Sequence, residues 1–306
     1  MPASPARARL YGLGTASPGV SSAQPDVMRF MTATARASFG EEGARAAPFI
    51  ERLYSSSGIS RRHSVLKDYA REDPAAYEFF PPNGALEPFP STAQRMQAYE
   101  RESVPLAATA AAAALARSGF AARDVTHLIF TTCTGFFAPG PDLLLSARLG
   151  LRPQVRRTVV GFMGCYAGFN AMKLAQDAIA ADPGAVALVV SVELCSLHFQ
   201  KRLLPDFLVS NSLFADGAAA AVFAAPGARP GGLADLAATG SSVAPGSLDQ
   251  MSWRIGDTGF EMTLDRRVPD TIRAHAPGFV DGFLAQEGLA RSEVKRWAPH
   301  PGGRRG

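Results

Sequence analysis

Val159-Val160-Gly161-Phe162-Met163-Gly164-Cys165-Tyr166-Ala167-Gly168-Phe169-Asn170 is the stretch whose reading decides the fold. A β-branched run ends in Gly-Cys, and a helical pattern over Ala167–Ala181 begins at once. Such a turn places a thiol at a helix N-terminus, where unpaired backbone N–H groups and the positive end of the dipole favour thiolate. The cysteine's own N–H can also face a developing oxyanion, as at other strand–turn–helix nucleophiles. The spacing fits equally a small cysteine packed quietly in a core.

Working outward, short apolar runs alternate with helical ones. Val125–Thr132, Arg157–Phe162, Ala185–Glu193 and Gly217–Ala224 read as buried strands, and Asp142–Leu149 as a helix. This alternation predicts α/β layering with parallel strands. Upstream, Arg9–Gly14 reads as a first strand. Asp26–Phe39 and Ala47–Tyr54 read as helices, and Asp73–Thr92 as a loop-rich excursion. Ala93–Gly119 reads as a long helix with a kink at Pro105, and its alanine-rich second half predicts close packing on a neighbour. The Pro- and Gly-rich segment Ala225–Gly232 is the expected boundary between residues 1–228 and residues 229–306. Beyond it we expect a strand near Leu233–Thr239, a loop through Trp253, a helix over Pro269–Glu287 broken at Pro277, and a last strand at Lys295–Ala298.

That last strand leads into Trp297-Ala298-Pro299-His300-Pro301-Gly302-Gly303. A histidine between two prolines is locally rigid and suits a general base or a hydrogen-bond donor to a thioester. A cysteine and a histidine far apart in sequence can still form one catalytic pair.

Composition limits the alternatives. Of 306 residues 47% are hydrophobic and 19% charged, which supports a large core and excludes wholesale disorder. A net charge of +4 without a dense Lys/Arg stripe gives no nucleic-acid signature. Three cysteines, Cys133, Cys165 and Cys195, form no disulfide framework or zinc motif and suit a reducing cytoplasm. No run reaches the about 18 apolar residues of a membrane span.

Together the Cys165 and His300 motifs resemble the chalcone synthase-like, type III polyketide synthase family. Phe49-Ile50-Glu51-Arg52-Leu53 with Gly58-Ile59-Ser60-Arg61-Arg62-His63 is similar to the family's early helix and Arg-rich turn. Thr132-Cys133-Thr134-Gly135 with Pro139-Gly140-Pro141-Asp142 resembles its dimer-interface loop, and Ser191-Val192-Glu193-Leu194 its strand after the nucleophile helix. Leu213-Phe214-Ala215-Asp216-Gly217 resembles the segment with a gatekeeper phenylalanine, and Gly256-Asp257-Thr258-Gly259-Phe260 a cavity-lining stretch of bacterial members.

The resemblance implies a thiolase-like layered αβαβα fold and a cytoplasmic homodimer that uses acyl-CoA and malonyl-CoA as substrates, with no further cofactor and no metal. Cys165 would take the acyl group, and His300 would help stabilise the enolate formed when malonyl-CoA loses CO2. Condensation on the acyl-cysteine, repeated, would give a resorcinol- or pyrone-type product. Phe214 is expected as the gate. Thr134, Cys195, His198, Trp253 and Met262 are expected to line the cavity, and Arg52, Arg61 and Arg62 to bind coenzyme A. The family's third catalytic residue, an asparagine in a Gly-Asn-x-Ser-like motif, has no counterpart here, so the C-terminal half is expected to be incomplete. Two other readings stay open: a ketoacyl-ACP synthase III-like enzyme that condenses once, and a non-catalytic remnant.

Overall fold

The computed structural model describes residues 7–300. In chain order its elements are β1 (Ala8–Ala16), β2 (Val20–Ala23), α1 (Gln24–Ser56), β3 (Arg61–Ser64), α2 (Thr92–Ser118) and β4 (His127–Thr132). Then come α3 (Pro141–Leu149), β5 (Arg156–Gly161), α4 (Ala167–Ala181), β6 (Val186–Leu194), α5 (Pro205–Leu213) and β7 (Asp216–Ala224). The last elements are β8 (Ala234–Leu236), β9 (Met251–Gly256), β10 (Gly259–Leu264) and α6 (Val268–Gln286).

Six strands form one sheet in the order β5-β4-β6-β7-β1-β8. The sheet is mixed. β4 runs parallel to β5 and β6, but β7 is antiparallel to both β6 and β1. The sequence predicts parallel strands throughout. A parallel return needs a helix that crosses the sheet face, and α5, between β6 and β7, packs instead against α1 and β10. β8 joins this sheet through β1, so the sheet takes in residues beyond the boundary expected at 228.

The sheet is sandwiched between two helices. Ile129, Val189 and Phe223 face α4 through Ala171, Ala175 and Ile179. On the other side α2 lays Ala107, Ala110, Ala111 and Ala114, all buried, against β1. The fit is tight because the strand answers alanine with glycine: a Cβ on Gly14 would lie 2.1 Å from the Ala110 carbonyl oxygen. α2 begins with a capping box between Ser91 and Gln94, ends at left-handed Gly119, and runs on through Pro105.

In α1, Gly40 leaves the helical region with φ +54°, so the two helices expected there survive as two limbs of one element. Residues 251–264, expected to begin as loop, form a β9–β10 hairpin closed by Gly256 and Gly259. α6 is unbroken at Pro277 and buries none of its residues. Lys295–Ala298 pairs with no strand among the described residues, and residues 301–303 lie outside them.

Candidate active site

β5 delivers the chain into a strained turn. Phe162 takes φ +52°, a region that bulky side chains rarely occupy, and Gly164 takes φ +73°. A single 3-10 turn, Gly164–Tyr166, then presents Cys165 at the start of α4. Phe162, Met163, Tyr166 and Phe169 stand exposed around it.

Cys165 is exposed as a residue, yet enough protein surrounds its thiol that burial pushes the pKa up. The charge of Glu193 pushes it further, and the cysteine's own backbone N–H draws it down. The helix start was expected to favour thiolate. Here desolvation and a neighbouring carboxylate outweigh the N–H groups.

Glu193, at the end of β6, organises the floor of this turn. Its carboxylate accepts from the Cys133 N–H at 2.8 Å and the Thr134 hydroxyl at 2.7 Å. Burial lifts its pKa to about 7 against these hydrogen bonds. Cys133 in turn accepts the Gly164 N–H on its sulfur at 3.2 Å. The loop after β4 is thereby tied to the nucleophile turn. Burial also raises the Cys133 and Cys195 thiols.

Beside this lies a cavity of about 560 Å³, counting its mouth. Phe214, Cys195, His198, Trp253, Met262 and Arg62 line it, so six residues singled out in the sequence share one space. His198 is buried and fixed as the neutral tautomer. The Phe260 N–H donates to its Nδ1 at 2.9 Å, and its Nε2–H therefore donates to the Thr134 carbonyl at 2.7 Å. Burial pulls its pKa down to about 3. The Trp253 indole donates to the Cys133 carbonyl at 2.7 Å and packs edge-on to His198 and Phe260. Thr134 is buried between Glu193 and His198 and holds the wall together from behind.

The arginines separate. Arg52 is exposed on α1. Arg61 is exposed and donates to the hydroxyl and carbonyl of Ser21. Arg62 turns inward, buried, and donates to the carbonyls of Asn211 and Phe214. Its guanidinium therefore braces the segment bearing Phe214.

His300 lies in the exposed coil after Val294. Neither α6 nor the described coil after it contains a buried residue. Among the described residues no cluster of three His, Cys, Asp or Glu side chains is placed to hold a metal ion. No described helix is long and apolar enough to cross a membrane.

Residues 2–227 match the family described as chalcone and stilbene synthases, N-terminal domain. The chain belongs to the chalcone and stilbene synthase family. It is 34% identical over 267 residues to the 1,3,6,8-tetrahydroxynaphthalene synthase of Streptomyces peucetius subsp. caesius, covering 86% of this chain and 66% of that one. It is 30% identical over 310 residues to the 3,5-dihydroxyphenylacetyl-CoA synthase of Streptomyces toyocaensis, covering 98% and 73%. The chain thus spans about two thirds to three quarters of these relatives' lengths. Among solved structures, PKS-I from the brown alga Ectocarpus siliculosus aligns with all of this chain and 79% of its own, at TM-score 0.89 and 29% identity. The type III polyketide synthase domain of Steely1 from Dictyostelium aligns at TM-score 0.78 and 26% identity, covering 95% of this chain and 76% of that one. The mixed sheet between α2 and α4 is the thiolase-like arrangement of these type III enzymes.

Sequence reasoning missed two features of this family member's site. Glu193 was legible only as part of a strand motif, although a carboxylate in an otherwise apolar strand was a signal. Phe162 carried no signal at all, because its strain comes from the turn's closure and not from its residue type.

Proposed function

We propose that this chain is the acyl-accepting part of a type III polyketide synthase. Cys165 attacks an acyl-CoA thioester and keeps the acyl group, releasing the coenzyme A thiol. Malonyl-CoA then loses CO2, and the resulting enolate attacks the acyl-cysteine, forming the new carbon–carbon bond as the Cys165 thiolate leaves. The observation that carries this reading is the placement of Cys165 on a strained strand-to-helix turn, with its own N–H at hand, tied through Cys133 to Trp253 on the wall of the cavity. The names of the two Streptomyces relatives, both aromatic polyketide products, support repeated extension over a single condensation.

Further roles follow on the same reading. His300 is the partner that polarises the thioester carbonyl. Phe214 gates the cavity. Arg52 and Arg61, the two outward-facing guanidiniums, meet the phosphates of coenzyme A. The partner is a second copy of the chain. β5 is an edge strand with Val159 exposed, continuous with exposed Phe162, Met163 and Tyr166, and an uncovered apolar edge of this kind calls for pairing.

The deciding experiment supplies the chain with an acyl-CoA and malonyl-CoA, without any carrier protein. The reading predicts products longer than one condensation. Product that forms only when an acyl carrier protein is added would transfer the chain to the ketoacyl-ACP synthase III-like class.

A further inference from the structure

One polar seam in the cavity wall takes no part in the chemistry above. Ser64, on β3, and Ser196, just after β6, both line the cavity. The Ser64 hydroxyl donates to Ser196 Oγ at 2.7 Å. The Ser196 hydroxyl donates to Asp216 at 2.5 Å. Behind them Asp216, at the start of β7, is buried and accepts backbone N–H groups from Val65 at 2.7 Å and Ser196 at 2.8 Å. Burial lifts its pKa to about 6, so it is mainly ionised at neutral pH and can only accept.

That fixes the direction of the chain. With the carboxylate accepting, both hydroxyl protons point away from the cavity, toward Asp216. Ser64 Oγ accepts one further bond, from the Leu66 N–H at 2.9 Å. Each serine oxygen keeps one lone pair. The valence left for a guest is therefore that of an acceptor, backed by a negative charge. A ketone oxygen, itself an acceptor, gains nothing from these two hydroxyls. Phe214, Trp253, Phe260 and Met262 line the same cavity and give a surface for a flat or apolar body.

We propose that Ser64 and Ser196, backed by Asp216, form a subsite that accepts the O–H of a phenolic or enolic ring held against this aromatic wall. For the origin of such a ligand the proposal rests on the polyketide reading, since ring closure of a poly-β-keto chain yields this chemistry. The subsite then selects the cyclised, hydroxylated species over the linear keto chain.

The test is titration calorimetry with olivetol, a resorcinol with a pentyl tail, against its dimethyl ether, which differs in lacking O–H donors. The wild-type chain is expected to bind olivetol about tenfold more tightly than the ether, the effect of a hydrogen bond to a charge-backed acceptor. Ser64→Ala and Ser196→Ala should each reduce that preference to about twofold or less. If Ser196→Ala does not fold, Ser64→Ala decides, because it leaves the Ser196–Asp216 bond in place. Equal affinities in the wild type, no olivetol binding, or a preference that survives in the folded variants overturns the proposal. Acyl-CoA labelling of wild-type Cys165 is read separately. Olivetol preference without labelling leaves the subsite standing and defeats the polyketide reading, and labelling without the preference does the reverse.

Discussion

The Cys133 sulfur accepts the backbone N–H of Gly164 at 3.2 Å, so the loop after β4 holds the turn that presents the nucleophile. Replacing that acceptor by a methyl group leaves the Gly164 N–H unpaired. Cys133→Ala should lower stability by about 1 kcal/mol in denaturant melts. It should also slow acylation of Cys165, while Cys133→Ser, which keeps an acceptor, restores much of both.

Glu193 raises the Cys165 thiol by its charge. Glu193→Gln removes that charge while keeping an oxygen for the Cys133 N–H. The midpoint of the pH profile for iodoacetamide alkylation of Cys165 should move to lower pH. An unchanged midpoint would show that burial alone sets the thiol.

His198 gives stability a pH dependence of known sign. Its folded pKa, about 3, lies below the ordinary 6.5, because burial opposes the charge and the Phe260 N–H occupies Nδ1. The unfolded chain therefore takes up a proton that the folded chain refuses. The stability held above pH 6.5 is lost as pH falls toward 3. Glu193 works in the other direction: its folded pKa, about 7, is above the ordinary 4.5, so its contribution falls as pH rises through that window. Urea melts of His198→Gln should lose the acid-side slope and keep the Glu193 slope.

The close approach of β1 to α2 predicts a severe effect from a single methyl group. Gly14→Ala would set a Cβ 2.1 Å from a backbone carbonyl, where no side chain can yield. It should cost about 3 kcal/mol, read as a lower urea midpoint. Gly19→Ala, with open space at its Cβ, should be near neutral.

Features written in local chemistry were legible in advance. The Gly-Cys turn, the alanine face of α2 and the apolar runs of β4, β6 and β7 each depend on neighbours a few residues away. The direction of β7 was not, because it depends on where α5 packs. Nor was the β9–β10 hairpin: its turn residues, Asp257-Thr258, lack the usual Asp-Gly signal. The Lys295–Ala298 run, expected as a strand, has no sheet partner among the described residues, and a short local run cannot supply one. The Ser64–Ser196–Asp216 seam joins three distant positions that only the fold makes neighbours.

The pairing of His300 with Cys165 can be tested by function. With His300 polarising the thioester, His300→Ala should lower the extension rate by about a hundredfold or more, the scale of a lost acid–base or polarising group. Cys165 alkylation by iodoacetamide should stay near wild type.

The central claim is that Cys165 carries the acyl group. Incubating the chain with radiolabelled acyl-CoA and mapping the labelled peptide tests it most directly. The account predicts label on the peptide containing Cys165 and none in Cys165→Ala. A folded wild-type chain that stays unlabelled, or label on Cys133 or Cys195 instead, would contradict it.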